Sequence, residues 1–123
     1  PYSVQADRRV TEALKLIDAR LADQRLTVAS LARELGISPR RLRQLFLTEL
    51  GIPPKAYICE QRLAKARALL ETSSLRVKEI MGAIGFNDPS DFSKQYKALF
   101  GAAPRKWRER FYSKRDAPGS PPN

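Results

Sequence analysis

Apolar side chains recur along this chain in steps of three and four, with no convincing run in steps of two, so the pattern predicts helices and no strand. Val10, Ala13, Leu14, Ile17 and Leu21 form the stripe of a first helix. Thr27 suits the N-cap of a short second helix carrying Val28, Leu31, Ala32 and Leu35, and Gly36 closes it. Ser38-Pro39 pairs an N-cap with proline in the first helical position, opening a third helix with Leu42, Leu45, Phe46 and Leu50 before Gly51. Pro53-Pro54 restart the chain, and no breaker interrupts Pro54 to Glu71. That stretch predicts a long fourth helix, with Tyr57, Ile58, Leu63, Ala66, Leu69 and Leu70 finding partners on more than one side. A Thr72-Ser73-Ser74 turn follows, then a short fifth helix with Val77, Ile80, Met81 and Ile84, ended by Gly85. Asn87-Asp88-Pro89 repeats the cap-then-proline signal ahead of a sixth helix with Phe92, Tyr96, Leu99 and Phe100. Pro104 opens a seventh, with Trp107 and Phe111. The expected fold class is all-α, about seven helices.

The second half of this series repeats the first. Leu31-Ala32 precede Gly36 at the spacing with which Ile80-Met81 precede Gly85, an offset of 49 residues. Leu42, Phe46, Leu50, Gly51, Pro54 and Tyr57 then match Phe92, Tyr96, Phe100, Gly101, Pro104 and Trp107 at an offset of 50. Each copy is a short helix, a turn with glycine, a longer helix and a closing Gly-x-x-Pro element, which is a helix-turn-helix unit. The expected boundaries are a first unit over 1–52, a linker helix over 53–71, a second unit over 72–112 and a polar, disordered tail over 113–123. In the first unit Ala32 stands where two helices cross closely. Met81 takes that place in the second, which predicts looser packing there.

Composition narrows the chemistry. With 42% hydrophobic residues in 123, the chain can bury a core, and no apolar run approaches the roughly 18 residues of a membrane span. It opens Pro1-Tyr2 without Met, as expected of a piece of a longer protein. One cysteine and no histidine exclude a disulfide staple and histidine-dependent catalysis, and leave no metal cluster and no cofactor to expect. Lys+Arg number 23 against 13 Asp+Glu, a net charge of +10 that points to a polyanion. Residues 1–37 hold six cations and five anions, residues 38–75 seven and three, and residues 76–123 ten and five. The field therefore belongs to the part of the chain after the first two helices.

Five stretches together carry a family resemblance. They are S-L-A-R-E-L-G-I-S-P-R-R-L-R-Q-L-F from residue 30, G-I-P-P-K-A-Y from 51, R-L-A-K-A-R-A-L-L from 62, I-G-F-N-D-P-S-D-F-S-K-Q-Y-K from 84 and G-A-A-P-R-K-W-R from 101. From about Ala29 to Arg108 the chain resembles the DNA-binding domain of the AraC/XylS family of bacterial transcription regulators. The resemblance implies two homeodomain-like helix-turn-helix subdomains bridged by the fourth helix, with helices three and six in successive major grooves of double-stranded DNA. It further implies contact with RNA polymerase, a sensing or dimerisation domain preceding Pro1, and a cytoplasmic, nucleoid-associated protein. A linker helix of 18 residues spans about 27 Å, compatible with recognition helices about 34 Å apart once helix width and side-chain reach are added.

On helix three, Arg40, Arg43, Gln44 and Leu47 form a stripe opposite the apolar face. Arginine pairs bidentately with guanine, glutamine with adenine, and leucine touches a thymine methyl. The resemblance places family base contacts at Arg40, Arg43 and Gln44; the alternative is a solvated cationic face. Arg41, Thr48 and Lys55 suit phosphate. On helix six, Ser90, Ser93 and Lys94 fall at family contact positions, Asp91 is a candidate acceptor from cytosine N4, and Asp88 reads as an N-cap. Lys97 and Arg105 suit phosphate, with Lys106 and Arg108 as reinforcement. Helix three is thus expected to dominate specificity. Two other functions fit parts of the sequence: a DNA-repair alkyl acceptor at Cys59, and a non-specific architectural or RNA-binding protein, for which no exposed aromatic platform is evident.

Overall fold

The computed structural model describes residues 7–116. Among them are seven α-helices and no strand: α1 (Arg8–Ala19), α2 (Val28–Leu35), α3 (Pro39–Leu50), α4 (Pro54–Thr72), α5 (Val77–Ile84), α6 (Pro89–Phe100) and α7 (Pro104–Asp116). The chain divides into two compact units, Pro1–Gln61 and Arg62–Asn123, and the division falls inside α4.

Helix ends follow the local chemistry of capping. Asp7 caps α1 by accepting from the Arg9 backbone N–H at 2.8 Å. The Arg9 guanidinium also grips that carboxylate, and the two bonds together hold it at about 2. Thr27 and Ser30 form a reciprocal capping box on α2, each backbone N–H donating to the other's hydroxyl at 3.0 Å. Ser38 accepts from the Arg41 N–H, and Asp88 from the N–H groups of Ser90 and Asp91, so both cap-then-proline signals mark real helix starts. Arg76 precedes α5 without a side-chain cap; instead its N–H donates to Glu79 Oε1 at 2.8 Å.

The repeat extends to individual hydrogen bonds. Ile37 N–H donates to the Ala32 carbonyl and Phe86 N–H to the Met81 carbonyl, both at 3.0 Å, closing the two helix-turn-helix turns in the same way. Gly36 and Gly85 occupy the left-handed region at φ 73° and 88°. Met81 is buried at 6% exposure in the place of the fully buried Ala32.

The first unit closes on Ala13, Ile17, Leu21, Leu26, Leu31, Ala32, Leu42, Phe46 and Ile58. The second buries Leu63, Ala66, Leu70, Ile80, Met81, Ile84, Phe92 and Tyr96. Its aromatic rings run as a ladder, Phe86–Phe92–Tyr96–Phe100, with centroids 4.7 to 6.0 Å apart and Trp107 packed on Tyr96 and Phe100. Within α4, the buried positions of its first half (Pro54, Ile58) and its second (Leu63, Ala66, Leu70) fall out of step with a 3.6-residue turn. That explains why its sequence shows partners on several sides.

Three expectations need correction. Ser113–Asp116 continue α7 rather than opening a disordered tail; residues 117–123 lie outside the described residues. Leu50 and Leu99, assigned to apolar faces, are exposed at 38% and 44%. Leu21 is buried but lies beyond the end of α1.

Candidate nucleic-acid interface

The third helix is held from both ends and from below. Ser38 fixes its start, Gly51 turns away at φ 74°, and Leu42, Leu45 and Phe46 lock one face into the core at 0%, 6% and 0% exposure. Phe46 further packs edge-on against Tyr57 of α4 at 5.9 Å. The opposite face is consequently rigid and wet. Arg40, Arg43, Gln44 and Leu47 are all exposed along it, and Arg41 and Thr48 are exposed beside it. None of the side chains of Arg40, Arg43 and Gln44 forms a hydrogen bond or ion pair with the described residues. Unoccupied guanidinium forks on a rigid helix are available to an external acceptor without first breaking an internal bond.

A second tie reaches this helix from the start of the described chain. The Asp7 N–H donates to both carboxylate oxygens of Glu49, at 3.2 and 3.0 Å. Glu49 is thereby committed at the far end of α3 and leaves the exposed face cationic. On α4, Lys55 is exposed one residue past Pro54.

The sixth helix is built alike, with Phe92 and Tyr96 buried and Gly101 closing it at φ 93°. Ser90, Asp91, Lys94 and Lys97 are exposed and Ser93 is half-buried. Asp91 is engaged, its carboxylate accepting from Gln95 Nε2 at 3.0 Å. At the offset of 50 it stands where α3 has Arg41, and Ala98 stands where α3 has Thr48. The second helix therefore offers an anion and a methyl group at the places where the first offers a cation and a hydroxyl.

Arg105 and Lys106 are exposed on α7, with Lys106 3.9 Å from Glu109. Arg108 is spent elsewhere. Its Nε donates to the Leu70 carbonyl at 3.0 Å, and its Nη2 to those of Ser73 at 3.1 Å and Leu69 at 3.5 Å, so it caps the end of α4. Trp107 Nε1 and Tyr112 Oη donate to the side chain and backbone carbonyl of Glu71, both at 2.9 Å, and Arg67 stacks over Phe100 and Trp107. Nothing in the spacing of Arg108 reveals this role, because its acceptors lie 35 to 39 residues away.

Cys59 is half-buried on α4. Among the described residues no three His, Cys, Asp or Glu side chains could hold a metal ion, and no helix is long and apolar enough to cross a membrane.

Comparison with known proteins gives a family match, a relative in sequence and two likenesses in structure. A family model described as a helix-turn-helix domain matches residues 31–110. The arabinose operon regulatory protein of Escherichia coli K12 is 36% identical over 102 residues, 83% of this chain and 35% of that protein. The chain thus spans about a third of the length of this relative. Among solved structures, the C-terminal domain of AraT, a response regulator from Geobacillus stearothermophilus, aligns with a TM-score of 0.82 at 28% identity, covering 85% of this chain and 87% of that one. The DNA-binding domain of the global transcriptional factor AdpA, solved in complex with a target DNA, aligns with a TM-score of 0.80 at 28% identity, covering 89% and 96%.

Proposed function

The chain belongs to the AraC/XylS family of bacterial transcription regulators, and from that premise we propose that it is a sequence-specific reader of double-stranded DNA working through α3 and α6. The observation that carries this reading is the rigid, exposed and uncommitted face of Arg40, Arg43 and Gln44 on α3. These side chains supply two guanine-reading forks and an adenine-reading amide to the major groove. Arg41, Thr48 and Lys55 set the register through phosphate. On α6, Ser90, Ser93 and Lys94 face the bases, and Lys97 and Arg105 take phosphate. Asp91, expected among the base readers, sits beside that stripe by the repeat register.

The function is binding, without catalysis. The organisation that serves it is a unit over 1–52, the α4 region as connector and a unit over 72–112, with the two recognition helices in adjacent groove segments. RNA polymerase and a preceding effector or dimerisation domain are the further partners, and the bacterial cytoplasm, on the nucleoid, is the place of action. A non-specific architectural role would instead give similar affinity for every duplex.

In vitro selection from random duplexes of about 30 base pairs at near-physiological salt tests the reading. The expected product is an asymmetric site with two blocks about one helical turn apart. No enrichment would defeat it. Within the selected site, Arg43→Ala is expected to cost about 1–3 kcal/mol and to relax one base position, whereas an equal loss on random DNA would demote Arg43 to a phosphate contact.

A further inference from the structure

Resting on the reading of α3 as the groove-entering helix, we propose that Leu47 recognises the C5-methyl group of a thymine in the DNA block that this helix reads. The helix has four large apolar side chains before Leu50. Leu42, Leu45 and Phe46 are buried at 0%, 6% and 0%, and Leu47 alone of the four stands in solvent, at 41%. It continues the row of Arg40, Arg43 and Gln44, since positions spaced 0, 3, 4 and 7 share one helix face. That spacing is also the one homeodomain recognition helices use for base contacts.

The chemistry selects the ligand. A leucine side chain has no hydrogen-bonding group, so it cannot read the donor and acceptor edges that distinguish guanine, adenine and cytosine. The thymine methyl is the one apolar group those edges present in the major groove. The side chain is positioned for it, because the neighbouring Leu45 and Phe46 are locked in the core and hold the backbone at 47 in place. Seven residues rise about 10 Å along a helix, so the thymine lies within about three base pairs of the base read by Arg40.

The second unit lacks this group. At the offset of 50 its counterpart is Lys97, an exposed cation. At this place in the row the methyl contact therefore belongs to the α3 block.

The test uses the selected duplex with each thymine replaced in turn by deoxyuridine, which removes the methyl and nothing else. Binding of the unaltered chain and of Leu47→Ala is measured on each duplex, with Arg43→Ala as a second variant. Leu47 is exposed, so helicity of its alanine variant should match the parent by circular dichroism. The expected result is one position, in the same block that Arg43→Ala relaxes, where deoxyuridine weakens the unaltered chain about fourfold. At that position Leu47→Ala binds the two bases equally, and Arg43→Ala keeps the difference. The proposal is overturned if no thymine in that block responds, or if the penalty persists in Leu47→Ala; either leaves the two-block reading intact. Absence of any enriched site would remove both together.

Discussion

At the scale of single residues, one polar group stands apart. Tyr96 is fully buried, and its hydroxyl has no hydrogen-bond partner among the described residues. Burial pushes its pKa above the ordinary tyrosine value, the nearby Glu71 carboxylate adds to the effect, and Arg67 opposes it. Removing an unpaired buried hydroxyl forfeits no bond and relieves desolvation. Tyr96→Phe is therefore expected to leave stability in urea unchanged at pH 7 or to raise it by up to about 1 kcal/mol. The sign of the pH effect follows from the raised pKa. Tyrosine in the unfolded chain ionises near pH 10 while the folded one stays protonated, so this residue's contribution is whole below pH 10 and declines above it. The gap between parent and Phe variant should widen in the variant's favour over that range. A loss exceeding about 1 kcal/mol at pH 7 would instead mean that the hydroxyl is satisfied in the folded molecule.

At the scale of elements, stability rests on helix ends. Gly36 sits at φ 73° with nothing within 4 Å of where a Cβ would go, so substitution there meets backbone strain and no clash. Gly36→Ala should cost about 1 kcal/mol by chemical denaturation, and Gly36→Asn less, because asparagine tolerates the left-handed region. Equal costs would point to packing instead. Arg108 makes the complementary case at the end of α4. Arg108→Ala removes charge-assisted bonds to three carbonyls and should cost about 1.5–3 kcal/mol, with the salt dependence of DNA binding unchanged. A flatter salt dependence would return Arg108 to the phosphate contacts. These two residues also mark what the sequence discloses. The glycine, proline and capping signals act over four or five residues, so the seven helices and the glycine-closed ends of α2, α3, α5 and α6 were legible in the sequence. Arg108 was not, because its partners come from another helix. The extension of α7 was not legible either, since Ser113-Lys114-Arg115-Asp116 is equally polar as helix or as tail. For the candidate site, periodicity alone picked out the exposed row of α3. The same periodicity placed Leu99 on an apolar face that the fold leaves open, because a period assigns a direction and only the neighbouring elements decide whether anything covers it.

At the scale of the whole molecule, the charge of +10 divides into cations already committed and cations free to meet phosphate. Arg9, Arg20, Arg25 and Arg67 are paired with Asp7, Glu34, Asp23 and Glu71, and Arg108 is a cap. The exposed Arg41 beside α3 has no cationic equivalent on α6, where Asp91 takes its place, whereas Lys55 is matched by the exposed Arg105. Arg41 and Lys55 in the first unit and Lys97 and Arg105 in the second are therefore expected to share the salt dependence of binding. Each lost phosphate contact lowers the slope of log affinity against log salt by about 0.9. Arg41→Gln is expected to flatten the slope by about that amount on any duplex. Asp91→Asn should act in the opposite direction, tightening binding to selected and random duplexes alike, because what it removes is repulsion independent of sequence. If Asp91 instead accepts a hydrogen bond from cytosine N4, the same substitution weakens the selected site at one position and leaves random DNA unchanged. Titrations of both variants at several salt concentrations on the two kinds of duplex separate these cases, since a phosphate-facing charge changes the slope everywhere and a base reader changes affinity at a single sequence.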